Sequence, residues 1–399
     1  MNTAYNSRKA SEDANTRLRA LVIATDNHPS SGAFLSMATL CKLLIRDQNV
    51  EPLVVLPRSG AGEKLLREMS ISYVHIRSFS WVRSLGQNRM RSIIEQMVKR
   101  PINALAIWRI RRLIQHWKPS VVHTNTIYSY VGIRAAQRAG IPHIWHIREL
   151  LEVGQGKTLW NTYRGEALIA QSDYVIAISD CVAREYARFV PPERLITILN
   201  GVDETIYHQK AKLVLESDVP KLFYGGGYDS TKGFDELITA LEKLKGLHSF
   251  ELFLLGDVPS NIPNKLRAAR ILENTHLLGY RNDVPSLLNN MDISFCTSAF
   301  EAFGRKTVEG MMAGVLVIAA DTGATLELVQ HGKTGLLYRQ GNAGDLSKMI
   351  LESLNYPEKS RLIAQNGRQY ALGHLTATRN ASEIAALYRT ISRIKENLV

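Results

Sequence analysis

The chain of 399 residues has few cysteines and no long hydrophobic run. The three cysteines, Cys41, Cys181 and Cys296, lie far apart and form neither a Cys-x-x-Cys pair nor a Cys/His cluster with metal-ligand spacing. An odd number of scattered thiols argues against a disulfide framework and is typical of a reduced, cytoplasmic protein. No apolar stretch approaches the roughly 18 residues that a membrane-spanning helix needs. The sequence therefore predicts a protein that does not span a bilayer.

The N-terminal segment lacks an apolar core. Residues 1–18 are rich in polar and charged side chains, and they contain no hydrophobic stretch of the kind that a secretory signal peptide requires. This composition predicts a disordered leader. Together with the reduced thiols, it favours a cytoplasmic location over secretion.

Acidic residues are scarce in the first half of the chain. The formal net charge is +12, and the sequence pI is about 9.5. Residues 1–200 hold 27 Lys and Arg against 15 Asp and Glu, whereas residues 201–399 hold 22 of each. The whole positive excess therefore belongs to the first half.

Ten basic residues lie in one segment, residues 77–118, which contains a single acid, Glu95. Three of them, Arg109, Arg111 and Arg112, are almost contiguous. Such a patch suits an anionic membrane surface, as on the inner face of the plasma membrane, a nucleic acid or an anionic acceptor. A solvated basic face with no specific partner is the other interpretation.

The pattern of the chain predicts two α/β domains. A length of 399 residues exceeds the size at which one hydrophobic core usually stops growing, and 45% hydrophobic content is ordinary for a globular enzyme. Short β-rich runs alternate with amphipathic segments, and the alternation restarts near residue 220. We expect two doubly wound, Rossmann-like parallel sheets, in residues 19–200 and 201–378, facing each other across a cleft. A final helix over residues 379–399 is free to return to the first domain.

Individual elements follow from the same pattern. Apolar β-rich runs predict strands at 19–24, 50–56, 73–76, 121–123, 143–147, 174–178, 195–199, 221–224, 250–255, 276–278, 293–295 and 316–319. Amphipathic runs predict helices at 33–46, 234–244, 284–289 and 308–313. A further helix ends before Pro119, and its core face consists of Ile107, Ile110, Ile114 and Trp117.

A glycine-rich turn follows the first strand of the second half. It runs from Gly225 to Gly233 and contains Gly226, Gly227 and Lys232. Glycines allow a ligand to approach the backbone closely, and a lysine supplies a cation for a phosphate. The turn has neither a Walker spacing nor a dinucleotide fingerprint, so an ordinary turn with a surface lysine is the alternative.

Two carboxylates flank the start of a later helix. Glu301 falls on a predicted strand-to-helix loop, and Glu309 is expected in the first helical turn. A helix N-terminus suits a phosphate, and carboxylates beside it suit sugar hydroxyls. An N-terminal helix charge and a solvated helix residue are the simpler interpretation of the same two acids.

Taken together, these motifs closely resemble the retaining glycosyltransferases of family four, which have the two-domain GT-B fold. The resemblance covers about residues 19–390 and is highly specific in the second half. It is looser in the first, where acceptor sites vary within the family. The motifs that carry it are Asn200-Gly201-Val202-Asp203, Lys232-Gly233, Leu278-Gly279-Tyr280, Glu301-x7-Glu309 with Phe303-Gly304, Gly323 and His331-Gly332-Lys333-Thr334-Gly335-Leu336-Leu337.

The resemblance implies roles for the second-half residues. Glu309 matches the acid that holds the donor ribose, Glu301 the acid against the transferred sugar, and Lys232 the lysine that neutralises the diphosphate. Gly226 and Gly227 belong to the glycine turn at the donor, and Tyr280-Arg281 lies where the nucleobase is held. The backbone N–H groups of Phe303, Gly304 and Arg305 match those that contact the sugar and the diphosphate in the family.

First-half residues are assigned by the same resemblance. His146 matches a histidine at the reacting sugar, and Gly32 matches the first-strand glycine loop near the donor phosphates. A satisfied core histidine is the alternative for His146. His123 and His143 are expected to be structural.

The chain departs from the family pattern at one position. The family often has an arginine five residues before its lysine, and this chain has Gly227 there. Arg305, Lys306 or Arg148 could supply the missing charge, and the sequence does not choose among them. No Asp-x-Asp pair is present, so the resemblance implies chemistry without a metal ion and no cofactor beyond the donor substrate.

The expected activity is transfer of a sugar, with retention, from a nucleotide-diphosphate sugar to a glycan or lipid-linked acceptor in cell-surface polysaccharide or glycolipid synthesis. The resemblance favours UDP-sugars, then GDP-mannose. It assigns the acceptor to residues 19–200 and the donor to residues 201–378. A sugar-nucleotide epimerase or phosphorylase-like enzyme on the same fold is the alternative. A nucleic-acid-binding protein is the remaining class, but no nucleic-acid module accompanies the basic charge.

Overall fold

A computed structural model describes residues 17–207 and 214–396. The predicted leader lies outside the described residues except for its last two, and Leu18 already begins the first strand. The chain divides into two compact units. The first comprises the residues up to Ile178, Ala183–Ile198 and the residues from Asn380 onward, and the second comprises Ser179–Val182 and Leu199–Arg379. No helix in the described part is long and apolar enough to cross a membrane.

A seven-stranded sheet forms the centre of the first unit, and all its neighbouring strands are parallel. Its strands in spatial order are Ser72–His75 (β3), Val50–Leu56 (β2), Leu18–Ile23 (β1), Val121–Asn125 (β5), His143–Ile147 (β6), Tyr174–Ala177 (β8) and Leu195–Thr197 (β9). Two short strands, Val82–Ser84 (β4) and Lys157–Leu159 (β7), form a separate antiparallel ribbon.

Helices surround this sheet. They are Gly32–Asp47 (α1), Gly62–Glu68 (α2), Arg89–Trp117 (α3), Val131–Ala139 (α4), Leu151–Gln155 (α5), Thr162–Ile169 (α6) and Asp180–Tyr186 (α7), with a 3₁₀ turn at Pro192–Arg194. Ile107, Ile110 and Ile114 of α3 are buried in the core, and Trp117 packs against it. The predicted core face of this helix is therefore confirmed.

The second unit is built around a six-stranded parallel sheet. Its strands in spatial order are Thr275–Gly279 (β12), Glu251–Leu255 (β11), Lys221–Gly225 (β10), Ile293–Cys296 (β13), Leu316–Ala320 (β14) and Leu336–Tyr338 (β15). Its helices are Phe234–Leu244 (α8), Ile262–Ala268 (α9), Val284–Leu288 (α10), Arg305–Met312 (α11), Thr325–Leu328 (α12), Ala343–Asn355 (α13) and Pro357–His374 (α14). Short 3₁₀ turns occur at Glu204–Tyr207, Ser230–Lys232 and Leu272–Asn274.

The last helix, Ala377–Glu396 (α15), carries the chain into the first unit. Tyr388 is fully buried there, and its hydroxyl lies 2.6 Å from Nδ1 of His123 on β5. Arg389 donates to the backbone oxygen of Gln48 at 2.9 Å. The end of the chain therefore packs beside the sheet that its beginning forms.

One element differs from its predicted bounds in a way that matters for the site. Helix α11 begins at Arg305, three residues before the predicted start at Val308. Gly304 has φ +86°, a left-handed conformation that glycine adopts easily, and this turn allows the helix to begin at once. Glu309 consequently lies in the second helical turn, and its predicted place in the first turn is wrong.

Candidate functional site

Most of the predicted donor residues of the second unit follow two adjacent strands. β10 pairs in parallel with β13, so their carboxyl ends meet at one edge of the sheet. The glycine turn follows β10, and the segment from Glu301 to Glu309 follows β13. Ligands of open α/β sheets bind at these strand ends. The fold thus brings together two segments that are far apart in the sequence.

The glycine turn has a backbone that only glycine adopts readily. Gly226 and Gly227 have φ values of +65° and +83°. The hydroxyl of Tyr224 supports the turn from the strand below, because it lies 2.6 Å from the carbonyl oxygen of Gly227 and 3.0 Å from that of Lys232. This arrangement holds Lys232 at the end of the strand.

The same geometry leaves no room for an arginine at position 227. A Cβ atom at Gly227 would lie 2.6 Å from Cγ of Lys232, which is too close for a real contact. An arginine there would also have to adopt a left-handed backbone. Position 227 therefore cannot carry a larger side chain without displacing the lysine.

Lys232 and Glu301 lie beside each other. The Nζ atom of Lys232 is 3.6 Å from Oε1 of Glu301, and their side chains are 37% and 21% exposed. The backbone of Glu301 is fixed by Ala324, whose N–H donates to its carbonyl oxygen at 2.9 Å. Gly323 allows this approach, since a Cβ there would lie 2.3 Å from the same oxygen. A cation and a carboxylate therefore share one partly exposed site.

The N-terminus of α11 follows shortly after Glu301 in the sequence. Gly304 is its N-cap residue, no side chain caps the helix, and its first turn contains no acid. The first N–H groups of a helix have no partner within it and carry a partial positive charge. Phe303 and Gly304 are buried, so they hold the start of the helix firmly. This end of α11 is suited to an anionic ligand.

Glu309 is paired with Arg305 one helical turn before it. Nε of Arg305 donates to Oε1 of Glu309 at 2.7 Å, and the two side chains are 25% and 17% exposed. The pair lies within one helix, so its geometry is defined by the i, i+4 spacing. A carboxylate held in this way still has acceptor capacity for hydroxyl groups.

Lys306 is the cation that the structure places at the glycine turn. Its Nζ donates to the backbone oxygen of Gly226 at 2.6 Å. Although the residue as a whole is exposed, protein atoms crowd its ammonium, and this desolvation lowers its pKa. Of the other two candidates for the missing charge, Arg305 is engaged with Glu309, and Arg148 donates to the side chain of Asn125.

Tyr280 and Arg281 lie at the end of β12, the edge strand of the sheet. Tyr280 is 68% exposed. Arg281 forms a two-point ion pair with Asp283, at 2.8 and 2.6 Å. Strands β11 and β10 separate this loop from β13, and no hydrogen bond in the described part of the chain joins it to Lys232 or Glu301.

His146 is fully buried on β6 of the first unit. Its Nδ1 lies 3.2 Å from Nε2 of His123 and 3.4 Å from a terminal nitrogen of Arg148. A guanidinium can only donate, so Nδ1 accepts and the proton of the neutral ring sits on Nε2. Burial, followed by the charge of Arg148, holds the pKa of His146 well below its ordinary value.

The Nε2–H of His146 is left without a hydrogen-bond partner among the described residues. The other buried histidines differ from it in this respect. His143 contacts Thr124 and Ser172 through its two ring nitrogens, at 2.8 and 3.2 Å. His123 lies between His146 and the hydroxyl of Tyr388, and burial lowers its pKa to about 3. His146 therefore does not fit the description of a satisfied core histidine.

Sequence reasoning missed Glu149, a buried acid beside this cluster. Its Oε2 accepts hydrogen bonds from the backbone N–H groups of Ile127 and Arg148, both at 3.2 Å. Burial raises its pKa to about 7. Nε of Arg148 donates to Oδ1 of Asn125 at 2.7 Å. The available signal was the run of polar residues at the carboxyl end of β6.

Gly32 is the first residue of α1 and follows the N-cap residue Ser31. The hydroxyl of Ser31 accepts from the N–H of Phe34 at 3.4 Å and donates to Oδ2 of Asp26 at 2.7 Å. Apart from its chain neighbours and the backbone of its own helix, nothing lies within 4 Å of the position that a Cβ at Gly32 would occupy. The start of α1 is therefore open to close approach.

The three arginines of the predicted basic patch lie on α3. Arg109, Arg111 and Arg112 are all exposed, and the guanidinium of Arg112 lies 5.0 Å from the ring centre of Trp108. They make no ion pair within the described part of the chain. Their charge is therefore available to an anionic surface.

The described residues offer no arrangement for a metal ion. Within residues 17–207 and 214–396, no three His, Cys, Asp or Glu side chains are grouped so that they could hold one. All three cysteines are free thiols. Burial raises the pKa of Cys41 to about 12 and that of Cys296 to about 11, so both remain protonated near neutral pH.

Comparison with known proteins relates both units to glycosyltransferases. The family models described as "Glycosyltransferase Family 4" and "Glycosyl transferases group 1" match residues 31–205 and 206–370. The N-acetyl-alpha-D-glucosaminyl L-malate synthase of Bacillus anthracis is 26% identical over 270 residues, covering 65% of this chain and 70% of that protein. The alpha-maltose-1-phosphate synthase of Mycolicibacterium smegmatis is 24% identical over 313 residues, covering 68% and 79%.

Solved structures share the fold. HepE of Anabaena, in complex with UDP and glucose, has a TM-score of 0.75 at 22% identity, covering 94% of this chain and all of that one. The lipopolysaccharide outer core galactosyltransferase WaaB has a TM-score of 0.70 at 15% identity, covering 93% and 100%. The predicted pair of doubly wound sheets is confirmed, and the chain belongs to the family-four glycosyltransferases of the GT-B fold.

Proposed function

We propose that this glycosyltransferase moves a sugar, with retention, from a nucleotide-diphosphate sugar to a glycan or lipid-linked acceptor. The supporting observation is that Nζ of Lys232 lies 3.6 Å from Oε1 of Glu301. Glu301 precedes the N-terminus of α11, which no side chain caps. One site then offers positive charge for a diphosphate and a carboxylate for sugar hydroxyls.

Stabilisation of the leaving group drives the proposed reaction. Breaking the bond between the anomeric carbon and phosphate leaves negative charge on the diphosphate. Lys232 and the N-terminus of α11 would form a preorganised clamp for that charge. We infer that Lys306, held at the glycine turn by the Gly226 carbonyl, takes the place of the family arginine. These groups would neutralise the leaving group without a metal ion.

The acids and the histidine would act on hydroxyl groups. Glu309 would accept hydrogen bonds from the donor ribose, and Glu301 from the transferred sugar. His146 would donate its unpaired Nε2–H to the sugar at the reacting end. Retention is assigned to front-face displacement, in which the acceptor attacks on the side that the diphosphate leaves. No covalent intermediate on Glu301 is required.

A UDP-sugar is the favoured donor, with GDP-mannose next. HepE of Anabaena, which shares the fold, was crystallised with UDP, with UDP and glucose, and with UDP-glucose. The matched relatives are named as synthases of a glucosaminyl malate and of a maltose phosphate, which are different kinds of product. Donor chemistry therefore has more support than acceptor chemistry.

A peripheral contact with an anionic membrane on the cytoplasmic side is the second part of the proposal. Helix α3 carries exposed apolar residues whose spacing places them on one side of the helix: Met90, Ile94, Met97, Val98, Leu105 and Trp108. These six residues are called the α3 stripe. Arg109, Arg111 and Arg112 adjoin its C-terminal end. A helix with an apolar stripe and flanking arginines suits the interface of an anionic bilayer.

A thermal-shift panel of UDP, GDP, ADP and their sugars tests the donor proposal. A nucleotide at 100 times its dissociation constant should add about 2.7 kcal/mol to the free energy of unfolding. Stabilisation by UDP or GDP that is weakened in Lys232→Ala supports the donor site. Equal responses to all nucleotides in both proteins would reject it.

Incubation with donor alone separates the alternatives. An epimerase would convert the sugar of the donor, whereas a transferase would at most hydrolyse it slowly. A phosphorylase-like enzyme would release sugar phosphate when inorganic phosphate is added. Salt titrations against RNA and against anionic vesicles separate the nucleic-acid alternative from the membrane proposal.

A further inference from the structure

A cavity of about 480 Å³ lies in the first unit between α3 and the β4–β7 ribbon. Its volume is within the range of natural small-molecule sites, about 300–1,000 Å³. We call it the ribbon cavity. Its walls combine cationic, polar and apolar side chains from both elements: Arg83, Ser92, Gln96, Met97, Arg100 and Trp160.

Both walls of the ribbon cavity are anchored to the fold. The N–H of Trp160 donates to the carbonyl oxygen of Trp81 at 2.8 Å, which continues the ribbon beyond β7. Asn103 of α3 fixes the other wall. Its side-chain oxygen accepts from the N–H of Phe79 at 2.8 Å, and its amide donates to the Phe79 carbonyl at 3.0 Å. The cavity is therefore formed by ordered elements.

The charge of the ribbon cavity is positive. The guanidinium of Arg100 lies 4.4 Å from the ring centre of Trp160, which holds it by a cation–π contact. Within the described residues, neither Arg100 nor Arg83 pairs with a carboxylate, and no Asp or Glu lines the cavity. A stacked arginine keeps its N–H groups available for the oxygens of an anion.

One polar side chain in the wall has an unused hydrogen-bonding group. The buried hydroxyl of Ser92 has no hydrogen-bond partner in the described part of the chain. Gln96, which is also buried as a residue, lines the same wall. Buried polar groups are nearly always paired in folded proteins, so an unpaired one calls for an explanation. A bound ligand would supply a partner for the Ser92 hydroxyl.

The apolar side of the ribbon cavity continues into the α3 stripe. Met97 lines the cavity, is 68% exposed, and is also a member of the stripe. Ile94 and Val98 lie beside it on the helix and are exposed as well. A ligand with its anionic end among the arginines would therefore find apolar surface for its other end.

We propose that the ribbon cavity binds the phosphate group of an amphiphilic, lipid-linked ligand. Arg100 and Arg83 contact the phosphate oxygens, and Met97 contacts the apolar chain. In the proposed reaction this ligand is the acceptor substrate, and that assignment rests on the proposed function. Binding in the cavity does not depend on it.

Calorimetric titration of the full chain with decyl phosphate tests the proposal, with inorganic phosphate and decyl glucoside as the two half-ligands. We expect decyl phosphate to bind at least tenfold more tightly than either. Arg100→Gln should weaken its binding at least tenfold. Arg91→Gln is the matched control, because Arg91 lies on the same helix but pairs with Glu95 at 3.3 Å and does not line the cavity.

Ser92→Ala separates a ligand role from a structural one. Removing an unpaired buried hydroxyl should leave the melting temperature of the free protein unchanged or raise it. The same variant should bind decyl phosphate several-fold more weakly. A lower melting temperature with unchanged affinity would show that the hydroxyl serves the fold alone and would overturn its part in the site.

Other outcomes also overturn the proposal. Equal affinities for inorganic phosphate and decyl phosphate would rule out an amphiphilic ligand. Equal affinities of Arg100→Gln and Arg91→Gln for decyl phosphate would rule out the ribbon cavity as the binding site. Lys232→Ala should leave decyl phosphate binding unchanged, which excludes the donor site as its location. Failure of UDP to bind would count against the proposed function and not against the cavity.

Discussion

The ammonium nitrogen of Lys232 lies 3.6 Å from Oε1 of Glu301, although the two residues follow different strands of the sheet. This separation is longer than a hydrogen bond, and both side chains are partly exposed. An exposed pair of this kind adds little to stability. A ligand with a phosphate for the lysine and hydroxyl groups for the acid can therefore replace their contact at small cost.

Replacing Lys232 with alanine should slow donor turnover by roughly 10²- to 10³-fold, as the loss of one preorganised charge at a leaving group does. The variant lacks the ammonium group that would stabilise the negative charge of the diphosphate in the transition state. Initial rates with saturating donor measure the effect. Lys243→Ala, an exposed lysine on α8, is the control. Near-normal turnover in Lys232→Ala would reject the assignment.

Replacing Glu309 with glutamine should weaken binding of UDP, because hydrogen bonds to a charged acceptor contribute about 1.5–3 kcal/mol. Titration with UDP and with 2′,3′-dideoxy-UDP identifies the contact. The wild type should prefer UDP by about tenfold or more, and the variant should lose that preference. A preference retained in the variant would place the ribose elsewhere.

The positions of the strands were predictable because strands of a parallel sheet are buried on both faces and form short apolar, β-rich runs in the sequence. β2 and β6 have the predicted bounds. β5 extends two residues further, to Asn125, because that residue pairs with His146. Polar residues at a strand end give no periodic signal, so pairing alone decides where such a strand stops.

The backbone of the donor turn was not predictable. The early start of α11 depends on the left-handed conformation of Gly304, and the exclusion of arginine at position 227 depends on the stem of Lys232. The start of the helix and the exclusion of arginine are both set by atomic contacts that exist only in the folded chain. The sequence marked the glycines and the charged residues, and packing determined which cation, Lys306, meets the turn.

His146 should act as a neutral hydrogen-bond donor across the physiological pH range, because burial holds its pKa well below the ordinary value. His146→Ala should lower turnover by about tenfold, the equivalent of one hydrogen bond. The ratio of wild-type to variant rates should stay constant between pH 5.5 and 7.5. His143→Gln, on the same strand but paired at both nitrogens, is the control. A ratio that follows a titration near pH 6.5 would contradict a neutral ring.

The three arginines of the basic patch on α3, Arg109, Arg111 and Arg112, should contribute to membrane binding. Replacing Arg109, Arg111 and Arg112 together with glutamine removes about 3 kcal/mol of attraction, at about 1 kcal/mol for each basic residue, or roughly a hundredfold in partitioning. Co-sedimentation with vesicles containing phosphatidylglycerol measures the effect, and neutral vesicles give the background. The control is a variant in which the exposed Arg134, Arg138 and Arg164 are replaced with glutamine, because it has the same change in net charge. Equal losses in both triple variants would leave only a general charge effect.

Glu149 should make the protein less stable as the pH rises. Its pKa is about 7 in the folded protein and near 4.5 when unfolded, so between these values the folded state binds more protons. The free energy of unfolding therefore decreases from about pH 4.5 to about pH 7, by roughly 3 kcal/mol for this group, and the loss is complete above pH 7.

Glu149→Gln removes this titration and isolates it from the buried histidines. Those rings have lowered pKa values, so they contribute stability that is lost as the pH falls below about 6.5, in the wild type and the variant alike. Urea unfolding at pH 5 and pH 8 measures the difference between the two proteins. We expect the variant to gain stability relative to the wild type as the pH rises. A difference that is the same at both pH values would mean that Glu149 is already ionised in the folded protein at pH 5.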